Sequence, residues 1–159
     1  MNTVLQRIAF SIFICVGSTV SVQASENYPA QLQGNWLAAA KAGNADAQYA
    51  MGKSKCCGYG NVYNDSDAME WFCKAAVQGH RDAQFEMGRQ LEAMTERRQV
   101  AKASVWNRES YAWYSLAAKQ GHAMAELNRR TLQNHLGPRQ QHLAEQRINE
   151  VMATRCSHL

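Results

Sequence analysis

Apolar residues along the chain recur at helical rather than alternating spacing. Ala68, Trp71, Phe72, Ala75 and Ala76 fall at i, i+3, i+4, i+7 and i+8, one continuous face of a helix. Ahead of them, Ala47, Ala50, Met51 and Ser54 form a narrower stripe of small residues. Small residues let two helix backbones approach closely, and the large side chains of the partner helix fill the gaps that remain. Gly43, Gly79 and Gly121 each follow an Ala-Ala turn and suit the left-handed position that ends a helix. The pattern predicts units of helix, turn and helix. With alanine runs such as Ala38 to Ala40 and only two prolines, it predicts an all-α chain and disfavours a β domain.

The units repeat. Shifted by 36 residues, Ala39 to Gly52 aligns with Ala75 to Gly88 at eight of fourteen identical positions, and Tyr49 meets Phe85. A further shift of 42 sets Trp71 to His80 on Trp113 to His122, with six of ten identical. Alanine richness alone does not restore Trp, Gly and His in register, so the period marks a real internal repeat.

The repeated residues resemble the Sel1-like repeats, helical-hairpin units related in architecture to tetratricopeptide repeats. Ala47, Met51, Gly52, Gly58, Gly60, Ala68, Trp71, Phe72, Ala75, Ala76 and Gly79 match that family's pattern without a gap. The unit departs from it at Lys55, Asn61 and Asn64. The next keeps Ala83, Met87, Gly88, Trp113, Tyr114, Ala117, Ala118 and Gly121, but carries six extra residues and no Gly-x-Gly. Trp36 falls in the register of the aromatic pair, and the pattern fails at Arg129 and Arg130. The resemblance implies an α-solenoid over 25–136: a partial unit over 31–43, full units over 44–79 and 80–121, and a degenerate unit over 122–136. Its implied repeat core is Trp36, Met51, Ala68, Trp71, Phe72, Ala75, Met87, Trp113, Tyr114 and Ala117. From Gly137-Pro138 a closing helix and tail are expected over 137–159, with Leu143, Ala144, Ile148, Val151 and Met152 on the face that covers the end of the stack.

The N-terminus changes the compartment. Arg7 precedes the apolar run Ile8 to Val16, and Val22-Gln23-Ala24 places small residues where a signal peptidase inspects the chain. A signal peptide over 1–24 is expected, cleaved after Ala24, with the mature protein periplasmic or secreted. Ile14 before Cys15 argues against a lipid anchor. Cys56, Cys57, Cys73 and Cys156 then remain, an even number that suits one or two disulfides in an oxidising compartment. A bond between the neighbours Cys56 and Cys57 is strained, which leaves Cys73 or Cys156 as the expected partner of one of them. The spacing lacks the C-x₂-C of structural zinc, so no metal and no cofactor is expected.

Charge and motifs narrow the function. The 159 residues carry 17 Lys and Arg against 13 Asp and Glu, a net +4 that suits an acidic protein surface and falls short of a nucleic-acid binder's basic stripe. No nucleophile, phosphate-loop or metalloprotease motif is present. Gly137-Pro138 separates His135 from His142, so the histidines read as solvated or capping groups, and Asp46 and Asp82 as charges at helix starts. The segment from Thr95 to Arg108 carries Arg97, Arg98, Lys102 and Arg108 around Trp106. It reads as a basic loop with one exposed aromatic, suited to an acidic partner, or as a connection whose Trp106 folds back onto the helices. Tyr59 and Tyr63 on the glycine-rich turn are a second candidate contact. The family resemblance implies a non-catalytic adaptor or scaffold of the bacterial envelope that binds another protein on a concave face. Its alternatives are a toxin-neutralising inhibitor and a protein that binds or hydrolyses β-lactams or peptidoglycan fragments.

Overall fold

The structure is a computed structural model and describes residues 30–56, 64–98 and 103–154. Among them all regular structure is helical, in the order α1 (Ala30–Lys41), α2 (Ala45–Cys56), α3 (Asp65–Val77), α4 (Arg81–Arg98), α5 (Ala103–Lys119), α6 (Ala123–His135) and α7 (Pro138–Thr154). Each of the first five packs on the next, most extensively α4 on α5 and α2 on α3. The expected leader over 1–24 lies outside the described residues. No helix among the described residues is long and apolar enough to cross a membrane.

The helix ends follow from local chemistry. Gly43, Gly79 and Gly121 stop α1, α3 and α5 with φ of 97°, 89° and 82°, values that residues with a Cβ rarely adopt. The next helix then begins on a side-chain acceptor. Asn44 Oδ1 takes the Ala47 N–H at 2.8 Å, His80 Nδ1 the Ala83 N–H at 3.1 Å, and His122 Nδ1 the Ala125 N–H at 3.1 Å. Asn64 caps α3 by accepting from Ser66 and Asp67. Pro138 opens α7, where its missing N–H leaves nothing unsatisfied.

Packing alternates small against large. Phe72 lies flat over Gly52, where an added Cβ would come within 2.5 Å of its Cε1; Tyr114 lies over Gly88, where one would come within 2.6 Å of its Cδ1. Phe72 and Tyr114 are fully buried. One cluster joins Ala68, Met69, Phe72, Ala75 and Ala76 of α3 with Met87 and Leu91 of α4 and Trp113 of α5. A second gathers Tyr111, Tyr114 and Ala117 of α5 with Leu132, Leu136 and Ala144. Tyr114 donates its hydroxyl to Glu92 at 2.8 Å, and burial together with that carboxylate raises its pKa well above the usual phenol value.

Two sequence expectations meet a different arrangement. Trp71 is only half-buried, with the Lys74 ammonium 4.6 Å from its ring centroid, while its register mate Trp113 is 1% exposed. Trp113 is enclosed by the cluster of α3 and α4, whereas α1 packs on α2 and gives Trp71 no comparable cover. Trp36 and Met51 are likewise half-buried. The closing helix α7 packs on α5 and touches α3, leaving the outer side of α6 uncovered. Ala144 is its buried anchor; Leu143 is 37% exposed, and the side chains of Ile148, Val151 and Met152 lie outside the described residues.

Gly88→Ala is expected to destabilise the protein. The added methyl gains up to ~1 kcal/mol of helix propensity, but displacing a ring fixed by the Glu92 hydrogen bond costs about 1–3 kcal/mol. Urea denaturation followed by circular dichroism gives the net change, and an unchanged or raised midpoint contradicts the packing argument.

Candidate functional site

Successive helix pairs meet at a joint built twice from residues in register. At the first, the His80 ring stacks on Tyr49 with centroids 4.6 Å apart, and its Nε2 lies 3.3 Å from Asp46 Oδ1. At the second, His122 stacks on Phe85 at 4.2 Å, with Nε2 3.9 Å from Asp82 Oδ1. Since Nδ1 of each ring accepts a backbone N–H, the proton sits on Nε2 and faces the carboxylate. Asp82 is held below its ordinary pKa chiefly by the hydrogen bond from Arg81.

A glutamine pair seals each joint. Gln48 donates to the Ala40 carbonyl at 3.0 Å and accepts from Gln78 at 2.7 Å. Gln84 donates to Ala76 at 3.1 Å and accepts from Gln120 at 2.8 Å. Gln48 and Gln84 are 5% and 1% exposed, so each brings a polar group into the interior with its hydrogen bonds made. Lys53 adds a 3.4 Å ion pair from α2 to Glu86 on α4.

At the third recurrence the chemistry changes. Glu126 stands where the glutamines stood, and a carboxylate cannot donate to the Ala118 carbonyl. It turns instead to Arg129 and Arg130, at 3.0 and 2.7 Å. Hydrogen bonds from these two guanidinium groups hold its pKa down at about 2, so it stays charged at neutral pH. Met124 and Leu127 occupy the positions of Asp46 and Asp82 and of Tyr49 and Phe85; with no further histidine over them they are 53% and 55% exposed. A cavity of about 250 Å³ is lined by Tyr111, Ser115, Ala118 and Lys119 of α5, Glu126 and Arg129 of α6 and Glu145 of α7.

The sequence-predicted contact residues do not gather into one site. The segment expected as a loop from Thr95 to Arg108 is mostly helix: α4 runs to Arg98 and α5 starts at Ala103. Arg97 and Arg98 lie in the last turn of α4, with side chains outside the described residues, as is all of Lys102. Trp106 is half-buried against the first core cluster, which matches a Trp folded back onto the helices. Arg108 is half-buried and donates from Nη1 to Gln140 Oε1 at 3.2 Å, tying α5 to α7. Tyr59 and Tyr63 lie outside the described residues. Cys56 and Cys73 are buried in the first cluster, while Cys57 and Cys156 fall outside the described residues.

His135 and His142 are exposed and Gln146 faces His142 at 3.0 Å; His158 lies outside the described residues. Among the described residues no group of three or more His, Cys, Asp or Glu could hold a metal ion. Comparison with protein-family models, with curated proteins and with solved structures gives no match.

The joint histidines were legible only as a recurrence. What the sequence reading missed is that His80 and His122 stand in the register of Asn44, the residue type that most readily caps a helix. His80→Asn is accordingly expected to keep the cap and lose only the ring contact, about 1 kcal/mol, while His80→Ala loses the cap as well, about 2 kcal/mol in all. Equal midpoints for the two variants in chemical denaturation contradict the capping role.

Proposed function

We propose that the chain is an exported, non-catalytic adaptor, an α-solenoid of Sel1-like repeats that captures another protein on its concave face and at the open end of its array. The observation that carries this reading is the uncovered side of α6. In the aromatic register the two inner joints are covered by the following helix pair, Tyr49 by His80 and Phe85 by His122, whereas Leu127 stands in water with Met124 one turn before it, 55% and 53% exposed. A partner surface that seats on them removes apolar area as the next pair would. The Arg97 and Arg98 pair in the sequence suits a partner that carries acidic residues.

A photo-cross-linking side chain placed at Leu127 in intact cells is expected to trap one discrete chain. Met124→Glu should abolish the adduct, and Arg97→Glu with Arg98→Glu should reduce it. The Arg pair is the better probe of the basic segment, because Trp106→Ala would also disturb the core. The same adducts from a probe at exposed Lys41 defeat the reading. So does turnover of a β-lactam or peptidoglycan fragment that a single polar substitution abolishes.

Export is part of the proposal and rests on the leader-like pattern over 1–24. An oxidising compartment gives Cys56 and Cys73 a bond to one another as their role, a reading supported by their place in one buried cluster, 3% and 0% exposed. Joining the end of α2 to α3 in this way stabilises the pair by about 2–4 kcal/mol. Mass spectrometry of protein from the cell envelope, alkylated without reduction, is expected to find both cysteines unmodified and linked in one peptide pair. Alkylation of both before reduction rules the bond out.

A further inference from the structure

The cavity beside α6 lies where the seal of the inner joints breaks down. At those joints the carbonyl ending one helix accepts twice: Ala40 from the Gly43 N–H and the Gln48 amide, Ala76 from the Gly79 N–H and the Gln84 amide. Ala118 accepts from the Gly121 N–H at 2.8 Å, but Glu126 in the glutamine register has no amide to offer. That carbonyl keeps an acceptor site to spare, and its residue lines the cavity.

The charges around the cavity are balanced and unequally committed. Lys119 and Arg129 face Glu126 and Glu145, so the lining residues favour neither a simple anion nor a simple cation. Arg129 and Glu126 are bound to each other through two hydrogen bonds. Ser115 donates its hydroxyl to the Tyr111 carbonyl at 2.7 Å. Lys119 and Glu145 have no side-chain partner among the described residues and are exposed to solvent, one on α5 and the other on α7. The walls thus present one uncommitted cation, one uncommitted anion and one open carbonyl, while the Tyr111 ring is covered by the Arg129 guanidinium, 5.9 Å from its centroid.

We propose that this cavity binds a small zwitterion, of amino-acid to dipeptide size, that carries a primary ammonium and a carboxylate. The ammonium donates to Glu145 and the Ala118 carbonyl, supplying the hydrogen bond that the glutamine amide makes at the inner joints. The carboxylate accepts from Lys119. At about 250 Å³ the space falls below the roughly 300–1,000 Å³ of sites for drug-sized ligands, which sets the upper bound on size. The site is separate from the protein-binding surface proposed above and does not depend on it.

The test uses three probes against the whole mature chain in isothermal titration calorimetry: alanyl-alanine, its N-acetyl form and its C-terminal amide. Alanyl-alanine is expected to bind saturably, and removing either charge to weaken binding at least about fivefold, the scale of one charge pair in a partly exposed site. Lys119→Gln should erase the preference over the amide while keeping that over the acetyl form, and Glu145→Gln should do the reverse. Both residues are exposed and have no side-chain partner among the described residues, so both variants are expected to keep the fold, which circular dichroism checks. No saturable binding up to about 10 mM, equal affinity for the three probes, or variants that keep both preferences each overturn the assignment.

Discussion

The arrangement depends on how one imidazole is shared among three neighbours. At each inner joint the histidine accepts a backbone N–H that helix geometry leaves orphaned, lies against the aromatic ring of the preceding pair, and faces that pair's aspartate. One side chain therefore starts a helix and fixes that helix against its predecessor. The cap contributes about 1 kcal/mol, the ring contact about the same, and the exposed carboxylate less. None of these is large. Their value lies in being directional, since the apolar contacts between alanine-rich helices are compatible with many rotations and slides.

Close approach supplies the rest. Gly52 and Gly88 let the rings of Phe72 and Tyr114 rest against helix backbone, which brings the paired helices near enough to exclude water from the alanines between them. Burying the Tyr114 hydroxyl without a partner would cost about 1–3 kcal/mol, and Glu92 removes that cost. The glutamine pairs at the joints obey the same rule. Gln48 and Gln84 are interior because their amides complete carbonyls that lie at helix ends, away from water.

What the sequence made legible was periodic and local. Helical spacing around Ala68 to Ala76 and the glycines at 43, 79 and 121 have direct counterparts in α3 and in three left-handed turns. What it concealed depends on neighbours. Trp71 and Trp113 are interchangeable in the pattern, yet only Trp113 has packed helices on both sides. The basic stretch around Trp106 looks like a loop because its polar residues interrupt the apolar spacing, but α4 and α5 extend into it and Trp106 packs into the core. The amphipathic pattern of α7 announced a buried face without saying which helix would cover it. The cavity was invisible for a related reason, because its lining is drawn from three helices and its significance lies in a glutamine that is absent.

The place where the repeat fails follows from the same joint. A further helix pair would need a histidine to stack over position 127 and a glutamine to donate to position 126; instead α7 turns back onto α5, held through Ala144 and the Arg108–Gln140 hydrogen bond. Once no such pair follows, an aspartate at 124 and an aromatic at 127 have nothing to meet, and Met124 and Leu127 stand there instead. The same loss removes the reason for a neutral amide at 126. A carboxylate there can serve Arg129 and Arg130 on its own helix, which keeps α6 ordered without a neighbour on its outer side. The array thus ends by exchanging contacts between units for contacts within a helix, and the acceptors and apolar surface released by that exchange are the groups left available to other molecules.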